Sequence, residues 1–202
     1  MLRFSVLSRL PVIYACTVIL ALAAFPWQAD VQAQMPTDEI VVGKVVDESG
    51  SPVRDAGVSF VAQSDKKTKY TARPNTQGFF VAELAAGKYT AEVWPDGAKE
   101  PLTTTHPFEV KTGVNALAFS IAKRSPEPLL PRKGYGLVWG VLLSAECTRV
   151  DDAFISFGKF DQAVKVHKGF YAFETKKGRA SISVFFKSDL APIFKYATQL
   201  LP

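Results

Sequence analysis

From Ile40 onward, apolar and polar residues alternate in short runs: IVVGKVV, AGVSFVA, KYTAR, FFVAEL, KYTAEVW, HPFEV and NALAFSI. Each run is closed by a cluster of Gly, Pro, Asp, Asn or Lys. A period of two bounded by turn formers marks half-covered strands. No stretch of helical period competes, apart from a short turn expected at the very end of the chain. The pattern predicts an all-β chain folded as a β-sandwich. In KYTAEVW it puts Tyr89, Ala91 and Val93 on the inward face and Thr90, Glu92 and Trp94 on the outward one.

The pattern occurs twice. VVGKVVDESGSPVRDAGVSF, residues 41–60, aligns with VWGVLLSAECTRVDDAFISF, residues 138–157, at an offset of 97. Val41, Gly43, Val53, Asp55, Ala56, Ser59 and Phe60 then meet identical residues, from Val138 and Gly140 to Ser156 and Phe157. GFFVAELAAGKYTAEVW, residues 78–94, aligns with GFYAFETKKGRASISVF, residues 169–185, at an offset of 91. The second copy is therefore six residues shorter between the blocks, as loss of a loop or hairpin between retained strands produces. In it Ala180, Ile182 and Val184 take the inward places, and Ser181, Ser183 and Phe185 the outward ones.

Between the copies, Pro126, Pro128 and Pro131 in residues 124–133 fix φ and remove backbone donors. This segment is expected to be a semi-rigid spacer belonging to neither sandwich. The expected modules are residues 40–123 and a degenerate copy at 134–202. After Phe186 too little chain remains for the last two strands to match those of the first copy, which leaves a sheet edge open unless a partner strand covers it.

The N-terminus reads differently. MLRFSVLSR carries two arginines and no acid, residues 12–25 are almost wholly apolar, and Val31 and Ala33 have the small-residue spacing of a processing site. Residues 1–33 are expected to be a secretory signal peptide cut between Ala33 and Gln34, with residues 34–39 as the mature tail. The apolar run is shorter than the roughly 20 residues a spanning helix needs, so no membrane anchor is expected to persist. The expected location is periplasmic or secreted. Cys16 lies inside the apolar run, which leaves Cys147 as the sole thiol of the processed chain; burial rather than disulfides must stabilise it.

The residues G-x-V-x-D-x-x-G-x-P-V-x-x-A-x-V from Gly43 to Val58, followed by G-F-F at Gly78 and L-x-x-G-x-Y-x-x-x-V ending at Val93, carry a resemblance. The stretch 40–123 resembles the carboxypeptidase regulatory-like domain. The resemblance implies a seven-stranded, transthyretin-like (prealbumin-like) β-sandwich of the kind appended to metallocarboxypeptidases and found in exported bacterial proteins. The second copy departs from it: SAECTR replaces DESGSP, Thr175 stands in place of Leu84, and Ala180 in place of Tyr89.

Chemistry is sparse. The only histidines, His106 and His167, lie in loop-like contexts, with no H-E-x-x-H and no cysteine pair, so no zinc peptidase site and no cofactor are expected. The C-terminus TQLLP lacks the Y-R-G-S-like ending of transthyretin-like hydroxyisourate hydrolases. Lys44, Asn115 and Glu92 invite comparison with internal isopeptide bonds, but Glu92 is three residues past Tyr89 and parity turns it outward. Asp151 and Asp152 fall in a turn, and no G-x-S-x-G elbow is present. No enzyme is expected.

Loss of Arg3, Arg9 and Asp30 with the leader takes the formal net charge from +5 to +4. The charges are dispersed without a basic stripe, so no nucleic acid is expected as partner. What remains are outward aromatics, Trp94, Phe185 and Trp139, as a candidate binding surface. These point to an exported adaptor or structural subunit of an envelope or extracellular assembly. The apolar LVWGVLL of the second copy marks the contact with a protein partner, and carbohydrate binding through Trp94 is the alternative.

Overall fold

The computed structural model describes residues 13–15, 39–144, 146–157, 163–186 and 194–200. The expected processing point at Ala33 and Gln34 lies outside them, as do residues 34–38 of the tail. The described chain is all-β. Its strands are β1 (Ile13–Ala15), β2 (Glu39–Val46), β3 (Ala56–Ala62), β4 (Lys69–Ala72), β5 (Phe79–Leu84), β6 (Gly87–Pro95), β7 (Thr103–Thr104) and β8 (Phe108–Val110). They continue with β9 (Val114–Ser120), β10 (Glu127–Pro128), β11 (Tyr135–Val141), β12 (Ala153–Phe157), β13 (Val164–Lys165), β14 (Phe170–Lys176), β15 (Gly178–Phe186) and β16 (Phe194–Leu200). Two compact units result: residues 39–130, and residues 131–200 together with Ile13–Ala15.

In the first unit, one sheet has the order β10-β9-β2-β5 and the other β4-β3-β6-β7, with β8 also paired to β6. Alternation supplies each sheet with one apolar face, and the two faces close on one core: Val41, Val45, Phe80 and Phe119 meet Val58, Phe60, Tyr89 and Val93. Tyr89, Ala91 and Val93 are buried, as their parity predicts. Phe60 lies 5.9 Å from Phe80 and 6.0 Å from Phe119, ring to ring, at the tilted and edge-on angles that aromatic quadrupoles favour. Between β7 and β8 the buried Thr105 completes the ladder: its N–H donates to the Ala91 carbonyl at 2.8 Å and its hydroxyl accepts from the Ala91 N–H at 2.9 Å.

The expected spacer is partly a strand. Glu127 and Pro128 pair antiparallel with Ala118 and Leu117, and the Leu129 N–H donates to the Ala116 carbonyl at 3.0 Å. A proline removes a donor on one side only, which an edge strand tolerates. Further on, Arg132 belongs to the second unit, where its backbone N–H and its Nε, the latter at 2.7 Å, hold the carboxylate of the buried Glu174.

The second unit has sheets β1-β11-β14 and β13-β12-β15-β16, with Val138, Tyr171 and Phe173 packed on Ile155, Ile182 and Val184. The chain end expected as a turn is strand β16, paired antiparallel with β15. FKYATQL alternates with a period of two, and that outweighs its lack of flanking breakers.

The strand registers of the units coincide at the offsets seen in the sequence. Lys44 pairs with Phe79 and Val141 with Phe170; Ala56 pairs with Pro95 and Ala153 with Phe186. Bridges Val46–Pro52 and Leu143–Arg149 also correspond. Gly78 and Gly169 have φ of 79° and 81°, and a Cβ at either would lie 2.7 Å from an atom of Val45 or Arg149. In SAECTR, Cys147 at φ 58° takes the place of Gly50 at φ 82° in DESGSP. No helix of the described residues is long and apolar enough to cross a membrane.

Candidate functional site

Strand β11, YGLVWGV, is apolar at both parities, the composition of a strand covered on both faces and flanked on both edges. Leu137, Val138 and Trp139 are 1%, 0% and 8% exposed. On one edge β14 pairs antiparallel with all of it, from Tyr135–Lys176 to Val141–Phe170. On the other edge, among the described residues, β1 runs parallel to it at three positions: Ile13 to Leu137, Tyr14 to Val138 and Ala15 to Trp139.

The first unit has a strand at the same place. There β9 runs parallel to β2 over seven residues, from Ile40–Val114 to Val46–Ser120. Ile40 corresponds to Leu137 at the offset of 97, so β1 starts at the register position where β9 starts. Beside Gly140, Val141, Leu142 and Leu143, the places of β9 residues 117–120 have no strand among the described residues. Trp139 Nε1, at the third register position of β1, is buried with no hydrogen-bond partner among the described residues. Buried indole donors are ordinarily paired.

Of the three rings expected on a binding surface, only Trp94 is partly exposed. Its Nε1 donates to Glu92 Oε2 at 3.1 Å, and Lys69 Nζ lies 3.6 Å from the same oxygen. Trp139 and Phe185 are 8% and 6% exposed, which corrects the expectation that both face solvent. Parity assigns a residue to a face of its strand; it does not say whether that face is covered. Of the aromatic surface proposed for carbohydrate, the exposed part is thus the Trp94 ring, with its polar edge engaged.

The other candidates remain apart. Lys44 Nζ sits 4.9 Å from the centre of the Phe79 ring, and Asn115 bonds Lys111 N–H at 2.9 Å and Lys111 carbonyl at 2.7 Å, pinning the β8–β9 loop. Glu92 lies on the other sheet. Asp151 accepts from the Lys168 N–H at 2.8 Å, and Asp152 pairs with Lys165 Nζ at 2.8 Å, both at exposed turns. His106 edges a shallow cleft of about 520 Å³ lined by residues 101–106, Ile121, Ala122 and Arg124. No group of three His, Cys, Asp or Glu side chains gathers as a metal site among the described residues.

Three exposed carboxylates titrate below their ordinary range. Asp47 is held down first by the Ser49 hydroxyl, Asp65 by the Thr68 hydroxyl and Glu146 by the Ser144 hydroxyl. Each lies in a hairpin turn, where a carboxylate that accepts local donors sets the loop. Their role is in the turns.

No family model matches the chain, and no curated protein matches it either. Among solved structures, the Bacillus anthracis TIE protein is similar at 15% identity over 81% of this chain, with a TM-score of 0.32. The chain spans about a third of that protein, 31% of its length. A DUF3823 family protein from Parabacteroides merdae is similar at 14% identity, covering 73% of this chain and 90% of that one, with a TM-score of 0.34. A streptococcal ancillary pilin matches at 13% identity over 79% of this chain and 58% of its own, with a TM-score of 0.28.

The β1 position escaped sequence reasoning because residues 12–25 read as a leader. A signal was present nonetheless: Ile13-Tyr14-Ala15 and Val114-Asn115-Ala116 share a β-branched residue, a spacer and an alanine at equivalent register.

Proposed function

We propose that the protein is an exported, non-catalytic interaction module, an adaptor or subunit of a cell-envelope or extracellular assembly. It comprises a processed leader, residues 1–33, and two copies of a carboxypeptidase regulatory-like sandwich. Coincident registers at the two offsets support the duplication. The observation that carries the interaction role is β11: a strand of central-strand composition, buried on both faces, whose second edge is paired, among the described residues, with Ile13–Ala15 of the leader. Removing the leader leaves that edge to another chain, and open edges invite pairing.

The test is crosslinking of the tagged full-length protein in its own cells, followed by affinity capture and mass spectrometry. Reproducible crosslinks between residues 134–143 and an envelope protein are expected. Recovery of the processed chain alone overturns the adaptor role. Equal capture by a chain ending at residue 123 moves the contact to the first unit.

A further inference from the structure

We infer that the strip of β11 from Leu137 to Leu143 is a strand acceptor, filled in the working protein by an extended segment of a different polypeptide running parallel to β11. The inference rests on the adaptor reading and adds to it the chemistry of the ligand.

The first unit serves as template. β9 fills the place beside β2 with VNALAFS, whose Leu117 stands opposite Gly43 and Phe119 opposite Val45, with Phe119 buried in the core. The equivalent positions in the second unit are Gly140 and Leu142. In the first unit Phe80 of β5 takes the space over Gly43, and Leu117 and Phe119 of β9 pack against the same core. The strip thus specifies about seven residues: β-branched at the first, alanine at the third opposite Trp139, and large apolar residues at the fourth and sixth. Ile13-Tyr14-Ala15 satisfies the first and third of these positions in the right direction and register. It is a stand-in that shows which way the strip is read.

A second copy is a poor donor. Its own β9 is paired to β2 and β10, and its leader is removed by the processing on which the adaptor reading depends. The donor must therefore be another protein offering an unpaired apolar strand, with backbone hydrogen bonds supplying affinity and the apolar side chains at its fourth and sixth positions supplying selectivity.

The experiment follows amide exchange in β11. In the full-length chain, residues 137–139 are expected to be protected. In the chain beginning at Gln34 they should exchange at least tenfold faster, while β2 and β5 keep their protection as an internal control. Adding a peptide of residues 114–120 should restore protection; the same peptide with Leu117→Asp and Phe119→Asp should not. Full-length Tyr14→Pro supplies the same test in a chain that retains its leader. If β11 exchanges equally in all forms, or both peptides act alike, the inference is overturned. The two proposals fail separately. Closure by the peptide without any crosslinked envelope protein removes the adaptor role and keeps the acceptor. A crosslinked protein that leaves β11 exchange unaltered keeps the adaptor and removes the acceptor.

Discussion

Gly43 allows the sharpest energetic test of the fold, because its missing side chain is the space that Phe80 occupies. A Cβ built on Gly43 lies 2.0 Å from Phe80 Cζ and 2.4 and 2.6 Å from its Cε atoms. Carbon atoms in contact need about 3.5–4 Å, so the ring must move well over an ångström. It has little freedom to do so: Phe80 is 3% exposed and lies 5.9 Å from Phe60 and 5.7 Å from Phe119. If the ring shifts within the core, overpacking costs about 1–3 kcal/mol. If it is expelled, the loss approaches the roughly 3–5 kcal/mol of Phe→Ala truncation. Alanine returns about 0.5–1 kcal/mol through its lower unfolded-state entropy. A displacement that large goes beyond a shift within the packed core, so expulsion sets the net cost and Gly43→Ala is expected to lose about 2–4.5 kcal/mol.

The assay uses a chain beginning at Gln34, which has one tryptophan in each unit, Trp94 and Trp139. With Trp139→Phe as background, Trp94 fluorescence in urea reports the first unit alone. Adding Phe80→Ala to Gly43→Ala should remove most of the penalty of the glycine change, since the clash partner is gone; the two effects are then strongly non-additive. A Gly43→Ala chain within about 0.5 kcal/mol of the parent, or additive behaviour in the cycle, refutes the reasoning.

Three further outcomes are expected. Cys147→Gly relieves a left-handed residue at φ 58° and should raise the melting temperature of the second unit by about 3–6 °C, as seen by Trp139 fluorescence. The reciprocal Gly50→Cys should lower that of the first, although nothing lies within 4 Å of a Cβ there, because backbone strain alone is at work. A fall with Cys147→Gly would show that the thiol contributes more than its conformation costs. Asp47→Asn should flatten the acid limb of the first unit's stability curve. The Asp47 carboxylate is held below its ordinary value, chiefly by the Ser49 hydroxyl. Its contribution is complete above the unfolded value of about 3.9 and is lost as pH falls through the lower folded value. Thermal scans over that range test this, and parallel curves for parent and variant would contradict it.

The strands of the first unit were legible because each of its sheets has one covered face, so period two survives in sequence; β2, β3, β5, β6 and β9 lie within about two residues of their alternating runs. The turns were legible through Gly78 and Gly169, whose positive φ no side chain tolerates cheaply. Strand β10 was hidden because prolines signal a spacer, and only an edge position reconciles them with pairing. The burial of Trp139 and Phe185 was hidden for a different reason. Alternation orders residues along one strand and carries no information about what lies over the sheet. The same holds for the β11 edge, where strand composition announced a central position but could not name the neighbour.

The pairing of β2 with β9 also constrains the time course of folding. The first strand of that unit finds its parallel neighbour 74 residues later, at Ile40–Val114. Until Ser120 has been made, β2 can hold only β5, and the core lacks Phe119. Such late loop closure slows folding. Connectivity itself therefore keeps the unit unlocked during synthesis until β9 has been made.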